Sequence, residues 1–227
     1  MNTISSTPVI AIDGPSASGK GTVAQRVAQK LGFHYLDSGA LYRLVALKAA
    51  QSHIDIDDSA TLEDIARNLN VTFGHDDISL DGNIVTNDIR TEKCGILASQ
   101  LAAYPQIRAA LTDRQREFRQ PPGLVTDGRD MGSVIFPDAI LKIFLTASAE
   151  IRAQRRYKQL IEKGMDANIS DLLQDIQKRD ERDRNRSAAP LKQGTDAKLL
   201  DTTSLTIAQA QEQVLCWYNE ICAKTHV

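Results

Sequence analysis

The stretch Gly14-Pro15-Ser16-Ala17-Ser18-Gly19-Lys20-Gly21-Thr22 follows directly on the apolar run Pro8-Val9-Ile10-Ala11-Ile12. A strand that ends in a glycine-rich turn and leads into a helix-forming run (residues 23–31) is the context of a phosphate-binding loop. The reason is geometric. Glycines let the backbone curl until several N–H groups point at one phosphate chain, and the helix N-terminus adds its partial positive charge. Lys20 is then expected to reach the β- and γ-phosphates as a mobile cation on a solvated loop. A glycine-rich turn that binds nothing is the alternative, and the strand before it and the helix after it weigh against that.

Such a loop needs a sheet around it, and 227 residues suffice for one sizeable core with an inserted subdomain. The net charge of −2 gives no global positive field for nucleic acid or an anionic membrane surface, so any anion site must come from local Arg and Lys clusters. Cys94, Cys216 and Cys222 form no C-x-x-C pair, and residues 1–7 carry no cationic, apolar leader. The expectation is a reduced, cytoplasmic chain. No apolar run approaches the ~18 residues of a membrane span. His34, His53, His75 and His226 are scattered, with no metal-ligand spacing.

Residues 8–13 read as a buried central strand, continuous and β-branched. The next helix, with Val23, Val27, Ala28 and Leu31 on one face, should stop at Gly32. Residues 33–36 form a second short strand. It runs into Asp37-Ser38-Gly39-Ala40-Leu41-Tyr42-Arg43, where Ser38 or Asp37 can cap a helix. Arg43, in that helix's second turn, is either a solvated arginine or a group that bends back to a ligand. From about residue 54 the character changes. A short amphipathic helix (61–69) precedes three β-type runs at 71–73, 78–80 and 84–86. Residues 74–77 separate the first two, and Asp81-Gly82-Asn83 makes a hairpin turn between the last two. Helical patterns resume at 91–103 and after Pro105, ending at Pro121-Pro122-Gly123.

Leu124-Val125-Thr126-Asp127 is a strand that delivers a carboxylate beside the phosphate loop. Asp127 there suits Mg2+, often through water, or else it is only a turn former before Gly128. Residues 140–145 are another core strand, and 147–163 a strongly basic helix with Arg152, Arg155, Arg156 and Lys158. Leu172 and Ile176 then lead into Arg179-Asp180-Glu181-Arg182-Asp183-Arg184-Asn185-Arg186. At about 100° per residue, Arg179, Arg182, Asp183 and Arg186 share a sector, while Asp180, Glu181 and Arg184 point elsewhere. That sector is an inward-facing anion site or a salt-bridged solvent face. Residues 198–201 and 206–223 give a final strand and a closing helix.

Strands alternating with helices after such a loop indicate a parallel sheet covered on both faces, with ligands at the carboxyl ends of its strands. Gly14, Asp37 and Asp127 all follow strand runs, so they converge on one rim. Bringing two phosphates together costs about 4 kcal/mol per pair of unit charges at 4 Å and an effective dielectric of 20. Lys20, Mg2+ and several arginines answer that cost. With no N-K-x-D and no D-x-x-G, a GTPase switch is not expected.

The motifs Asp13 to Thr22, Leu36-Asp37-Ser38-Gly39-Ala40-Leu41-Tyr42-Arg43, Asp127-Gly128-Arg129-Asp130-Met131-Gly132, Val134-Ile135-Phe136-Pro137-Asp138-Ala139 and the Arg179 to Arg186 run together resemble the bacterial-type cytidylate kinases. These are nucleoside monophosphate kinases of the P-loop fold, and the resemblance spans residues 10–205. It implies an α/β, three-layer fold with a central parallel sheet, a monophosphate-binding insert at approximately 54–120 and a lid at approximately 147–165. It also implies transfer from ATP to CMP, and to dCMP, with Mg2+. ATP phosphates would lie on Gly14, Pro15, Ser16, Ala17, Ser18, Gly19, Lys20, Gly21 and Thr22, with Thr22 and Asp127 towards the metal. The acceptor phosphate would be held by Ser38, Arg43, Arg129 and Arg186. Cytosine would be read by Ser99, Arg108 and Asp130, and the ribose by Arg179 and Asp183. Lys20, Arg129, Arg155 and Arg156 would be catalytic, the last two in the lid. The expected partners are these nucleotides, with no nucleic acid and no membrane, and the expected state is a cytoplasmic monomer. A kinase for another monophosphate, UMP above all, and an ATP-binding switch on nucleic acid are the alternatives. Mild acidity and the lack of an aromatic-interleaved basic patch weigh against the switch.

Overall fold

A computed structural model describes residues 7–73, 77–162 and 164–225. The separator expected at 74–77 (in its first three residues), Lys163 of the basic helix, the leader reading before residue 7, His75 and His226 lie outside the described residues. The chain divides into two compact units, Met1–Leu36 with Arg116–Val227, and Asp37–Gln115.

The larger unit is built on a five-stranded sheet. Its strands are β1 (Val9–Asp13), β2 (His34–Asp37), β6 (Leu124–Gly128), β7 (Leu141–Thr146) and β8 (Lys198–Asp201), in the order β2-β6-β1-β7-β8. β1 runs parallel to β6 and β7, and β7 parallel to β8. Every residue of β1 and β6 is buried, the apolar run Val9–Ile12 of β1 and Leu124 and Val125 of β6 as well as the polar ends, Asp13, Thr126 and Asp127, that the strands carry to the site. Helices α1 (Lys20–Leu31) and α8 (Ile207–Thr225) pack together, and Val23, Val27 and Val214 join Ile10, Ile12, Val125, Ile143 and Leu145 in the core. α1 ends at Gly32, whose φ of 66° is the left-handed conformation glycine tolerates best. Helices α6 (Ala149–Glu162) and α7 (Ile169–Asn185) pack side by side.

The smaller unit carries α2 (Ser38–Gln51), α3 (Ser59–Arg67), α4 (Glu92–Leu101), α5 (Pro105–Glu117, its last two residues in the larger unit) and a three-stranded antiparallel meander of β3 (Val71–Phe73), β4 (Ile78–Leu80) and β5 (Asn83–Ile84). The hairpin turn falls where the sequence places it, with Asp81 and Gly82 both at positive φ. The third strand is shorter than the apolar run suggests and starts one residue earlier. Beyond it Thr86 turns inward, and its Oγ1 accepts from the Ile78 N–H at 2.8 Å. Of the two capping residues expected for α2, Asp37 takes the role, accepting from the Ala40 N–H at 3.1 Å. Ser38 is thereby the buried first residue of the helix.

Among the described residues no helix is long and apolar enough to cross a membrane.

Candidate active site

The phosphate loop leaves β1 where the strand order reverses, the position at which open α/β sheets bind ligands. Two glycines are required there for different reasons. A Cβ on Gly14 would stand 1.9 Å from the Leu145 carbonyl oxygen, so only glycine lets the loop cross the end of β7. Gly19 sits at φ 91° as the residue capping α1, turning the chain so that the first N–H groups of the helix face the loop. Lys20 departs from the solvated loop expected of it. It is 8% exposed and donates to the Pro15 carbonyl at 3.1 Å, folding its ammonium back over the loop it belongs to.

Asp127 lies within β6, and its Oδ1 accepts from the Tyr35 hydroxyl at 2.8 Å. A Cβ at Gly21 would be 3.6 and 3.7 Å from its two carboxylate oxygens, so the carboxylate overlooks the first turn of α1, which carries Thr22. One carboxylate and one hydroxyl make a small, hard donor set. That set suits a Mg2+ that keeps several waters and takes its other ligands from nucleotide phosphates. Among the described residues no group of three or more His, Cys, Asp or Glu is assembled to hold a metal by itself.

A dense charge cluster follows β6. Arg129 donates through Nε to Asp183 Oδ2 at 2.7 Å and through Nη1 to the Gly128 carbonyl at 3.1 Å. Burial works against its positive charge, but Asp183, with Asp127 and Asp180, outweighs burial and holds its pKa above the ordinary value. Asp183 shows the converse balance: burial opposes its charge, while Arg129, Arg179 and Arg186 keep its pKa low. Arg186 Nη2 is 3.7 Å from Asp130 Oδ1, and both side chains are buried. The larger unit therefore gathers Arg129, Asp130, Arg179, Asp183 and Arg186 into one charged cluster.

The helical wheel needs two corrections. Arg186 is not on the helix; it is the C-cap residue of α7 with extended dihedrals, and its Nε donates to the Ala189 carbonyl at 2.6 Å. Asp180, placed outside that sector, is nonetheless 3% exposed and grips Arg152 through both oxygens, Oδ1 to Nη1 at 3.0 Å and Oδ2 to Nη2 at 2.5 Å. Arg152 also donates to the carbonyls of Ser16 and Ala147, each at 3.0 Å, so it ties the phosphate loop to α6 and α7. Nothing in its surroundings in the sequence distinguished it from Arg155 or Arg156.

Arg155 donates to the Ser18 carbonyl at 3.0 Å and, through its two Nη groups, to Thr202 Oγ1 at 3.1 Å and the Thr202 carbonyl at 2.6 Å. Arg156 is half-buried one residue further along α6. In the smaller unit Arg43 is not a solvated arginine. Its Nη1 donates to the carbonyls of Ile89 at 2.6 Å and Thr91 at 3.2 Å, and a Cβ on Gly95 would come within 2.8 Å of Nη2. Ser38, Ser99 and Arg108 are buried in the same unit, with Arg108 Nη1 3.5 Å from the Tyr42 hydroxyl. Tyr35, Asp13 and Arg152 are the polar groups that sequence reasoning left without a site role. Each has a partner distant in the chain, 92 residues between Tyr35 and Asp127, 118 between Asp13 and Met131, and 28 between Arg152 and Asp180.

Residues 10–220 match the sequence profile of the family described as cytidylate kinase. A cytidylate kinase from Nitrosomonas europaea is 60% identical over 213 residues, covering 94% of this chain and 96% of that one. Another, from Burkholderia mallei, is 59% identical over 215 residues, covering 95% and 94%. Among solved structures, a gluconokinase from Sinorhizobium meliloti 1021 superposes with a TM-score of 0.51 at 15% identity, over 97% of this chain and 95% of that one. That likeness is one of fold.

Proposed function

Since the chain belongs to the cytidylate kinase family, and so phosphorylates CMP at the expense of ATP, we propose that its charged cluster, phosphate loop and Asp127 carry out a direct, Mg2+-assisted transfer that also accepts dCMP. The observation that carries the residue assignments is the arginine and carboxylate cluster after β6, on the strand paired with the one that ends in the phosphate loop.

The loop from Gly14 to Thr22 cradles the ATP phosphates. Lys20 and the lid arginines, Arg155 and Arg156, neutralise the charge on the transferring group. Thr22 and, through water, Asp127 are the residues that would hold Mg2+, which supplies further neutralisation of the β- and γ-oxygens. Arg129 and Arg186 of the larger unit, and Ser38 and Arg43 of the smaller, bind the acceptor phosphate. An oxygen of that phosphate attacks the γ-phosphorus in line as the bond to the bridging oxygen breaks, so no side-chain nucleophile is required. Asp130, with Ser99 and Arg108, reads cytosine; Arg179 and Asp183 read the sugar. Residues of approximately 54–120 act as the monophosphate-binding insert and approximately 147–165 as the lid. Three cysteines without a C-x-x-C pair support a reducing, cytoplasmic setting, and the expected state is a monomer.

Two substitutions separate phosphate binding from base reading. Arg43→Ala should lower kcat/KM for CMP, dCMP and UMP by a common factor of about tenfold, the worth of one charged hydrogen bond. Asp130→Ala should cost more with CMP than with UMP. Steady-state assays of ADP formation with each acceptor supply both numbers. Loss of CMP discrimination in Arg43→Ala, or its retention in Asp130→Ala, would overturn the assignments.

A further inference from the structure

We propose that Asp13 is a positioning residue for base recognition: from the end of β1 it caps the turn after β6 in place of Asp130, and so leaves the Asp130 carboxylate to the cytosine. This rests on the reading of Asp130 as the base-contacting group.

The turn in question is a single π-helical turn, Met131–Ile135, whose opening N–H groups need acceptors. Asp130 occupies the residue before it, the place where an aspartate ordinarily accepts those bonds itself. Its carboxylate makes no such capping bond. Instead Asp13 Oδ1 accepts from the Met131 N–H at 2.8 Å and Oδ2 from the Gly132 N–H at 2.9 Å. Both oxygens of one carboxylate are thus spent on the two residues following Asp130. The Asp130 carbonyl accepts from the Val134 and Ile135 N–H groups at 2.9 and 3.3 Å, which fixes the same residue from the other side. Asp13 is also the residue before Gly14 and pairs in register with Gly128, so one side chain links the phosphate loop to the segment holding Arg129 and Asp130.

The arrangement requires the ionised form. A carboxylate offers an acceptor to each N–H, whereas a carboxylic acid turns one oxygen into a donor that faces a donor. Burial raises the Asp13 pKa from 3.8 to about 6, against the lowering by the Gly132 and Met131 N–H groups. The charged groups that face it are Asp130, which raises the value, and Lys20, which lowers it. Lys142, Lys192 and Asp196 line the small cavity beside it, Lys142 being paired with Asp196 at 2.6 Å. Because folding raises this pKa, the group favours the folded state most below its unfolded value, and that contribution is lost as pH rises through about 6. The functional sign is opposite: base reading should be best above about 6, where the carboxylate is ionised.

The readout is the ratio of kcat/KM for CMP to that for UMP. Both acceptors carry the same phosphate, whose second ionisation near pH 6 cancels in the ratio. Asp13→Asn offers one acceptor and one donor, the pattern of the protonated form at every pH. In the variant the ratio should fall about tenfold, the value of one mismatched buried hydrogen bond, and stay level with pH. In the parent it should fall roughly threefold between about pH 7.5 and 5.5, as most of the group becomes protonated. A variant that keeps the parent's ratio overturns the proposal. So does a pH dependence that survives in the variant, since it would belong to another group, Asp130 included. Should the variant fail to fold, a level ratio in the parent decides against the proposal alone. A parent without any CMP preference at either pH would sink the cytosine reading first, and this proposal with it.

Discussion

Lys20→Ala should lower kcat by about 10² to 10³ while leaving the fold in place, the usual loss when a preorganised charge is removed from a transition state. The ammonium lies over the phosphate loop, within 3.1 Å of the Pro15 carbonyl. A unit positive charge at 4 Å from a phosphate oxygen is worth about 4 kcal/mol at an effective dielectric of 20. Part of that is recovered in the variant by water and by the loop's N–H groups, which do not depend on the side chain. The fold should stay in place, because the ammonium's hydrogen bond to Pro15 lies within its own loop, while the lost attraction for the buried Asp13 carboxylate lowers stability somewhat. Turnover and thermal melting measured on the same preparation check both halves. Near-normal kcat in a folded variant would remove the phosphate-loop mechanism.

Asp180→Ala should be the most damaging single change to stability among the charged residues of the larger unit. Removing one partner of a buried ion pair typically costs about 3–5 kcal/mol, because the remaining charge is left without compensation. Here the remaining charge is the Arg152 guanidinium, itself 3% exposed, whose other acceptors are the carbonyls of Ser16 and Ala147. For a chain of this size such a loss lowers Tm by roughly 10 °C. The double variant Arg152→Met with Asp180→Leu should recover most of it, since apolar replacement of a whole buried pair is often close to neutral. It should not recover ATP binding to the same extent, because the Ser16 carbonyl loses its tie to α6. Melting of the three proteins and KM for ATP are the measurements. A single variant as stable as the parent would show that the pair contributes nothing.

What was legible in the sequence divides along the distance between interacting residues. The phosphate loop, the central strands and the Asp81-Gly82 turn were readable because each is decided by neighbours: glycine where φ is positive, β-branched runs where both faces are covered. The charged pairs were not. Arg129 and Asp183 are 54 residues apart, and Asp13 and Met131 are 118 apart. Asp180 is the instructive failure. The buried positions of α7 are Leu172, Ile176, Asp180 and Asp183, spaced four, four and three. The buried stripe therefore continues unbroken from leucine into aspartate, but a wheel that follows apolar residues stops at Ile176. Charged residues at continuing helical spacing mark a buried network only once a partner such as Arg152 is known to face them. Asp13 was hidden for the opposite reason: as the last residue of a strand it looked like the start of the loop motif, and its partners belong to a turn no sequence pattern announced.

The most direct test of the account is kcat/KM for CMP against UMP in the parent protein, with dCMP and AMP alongside. Cytosine offers an amino donor where uracil has a carbonyl, and an acceptor at N3 where uracil has an N–H. A site that reads cytosine with a carboxylate and a guanidinium leaves both groups mismatched on uracil, at about 1–3 kcal/mol each. The account predicts that CMP exceeds UMP by roughly 10² or more, with dCMP also accepted and AMP excluded by size. Equal kcat/KM for CMP and UMP would contradict it.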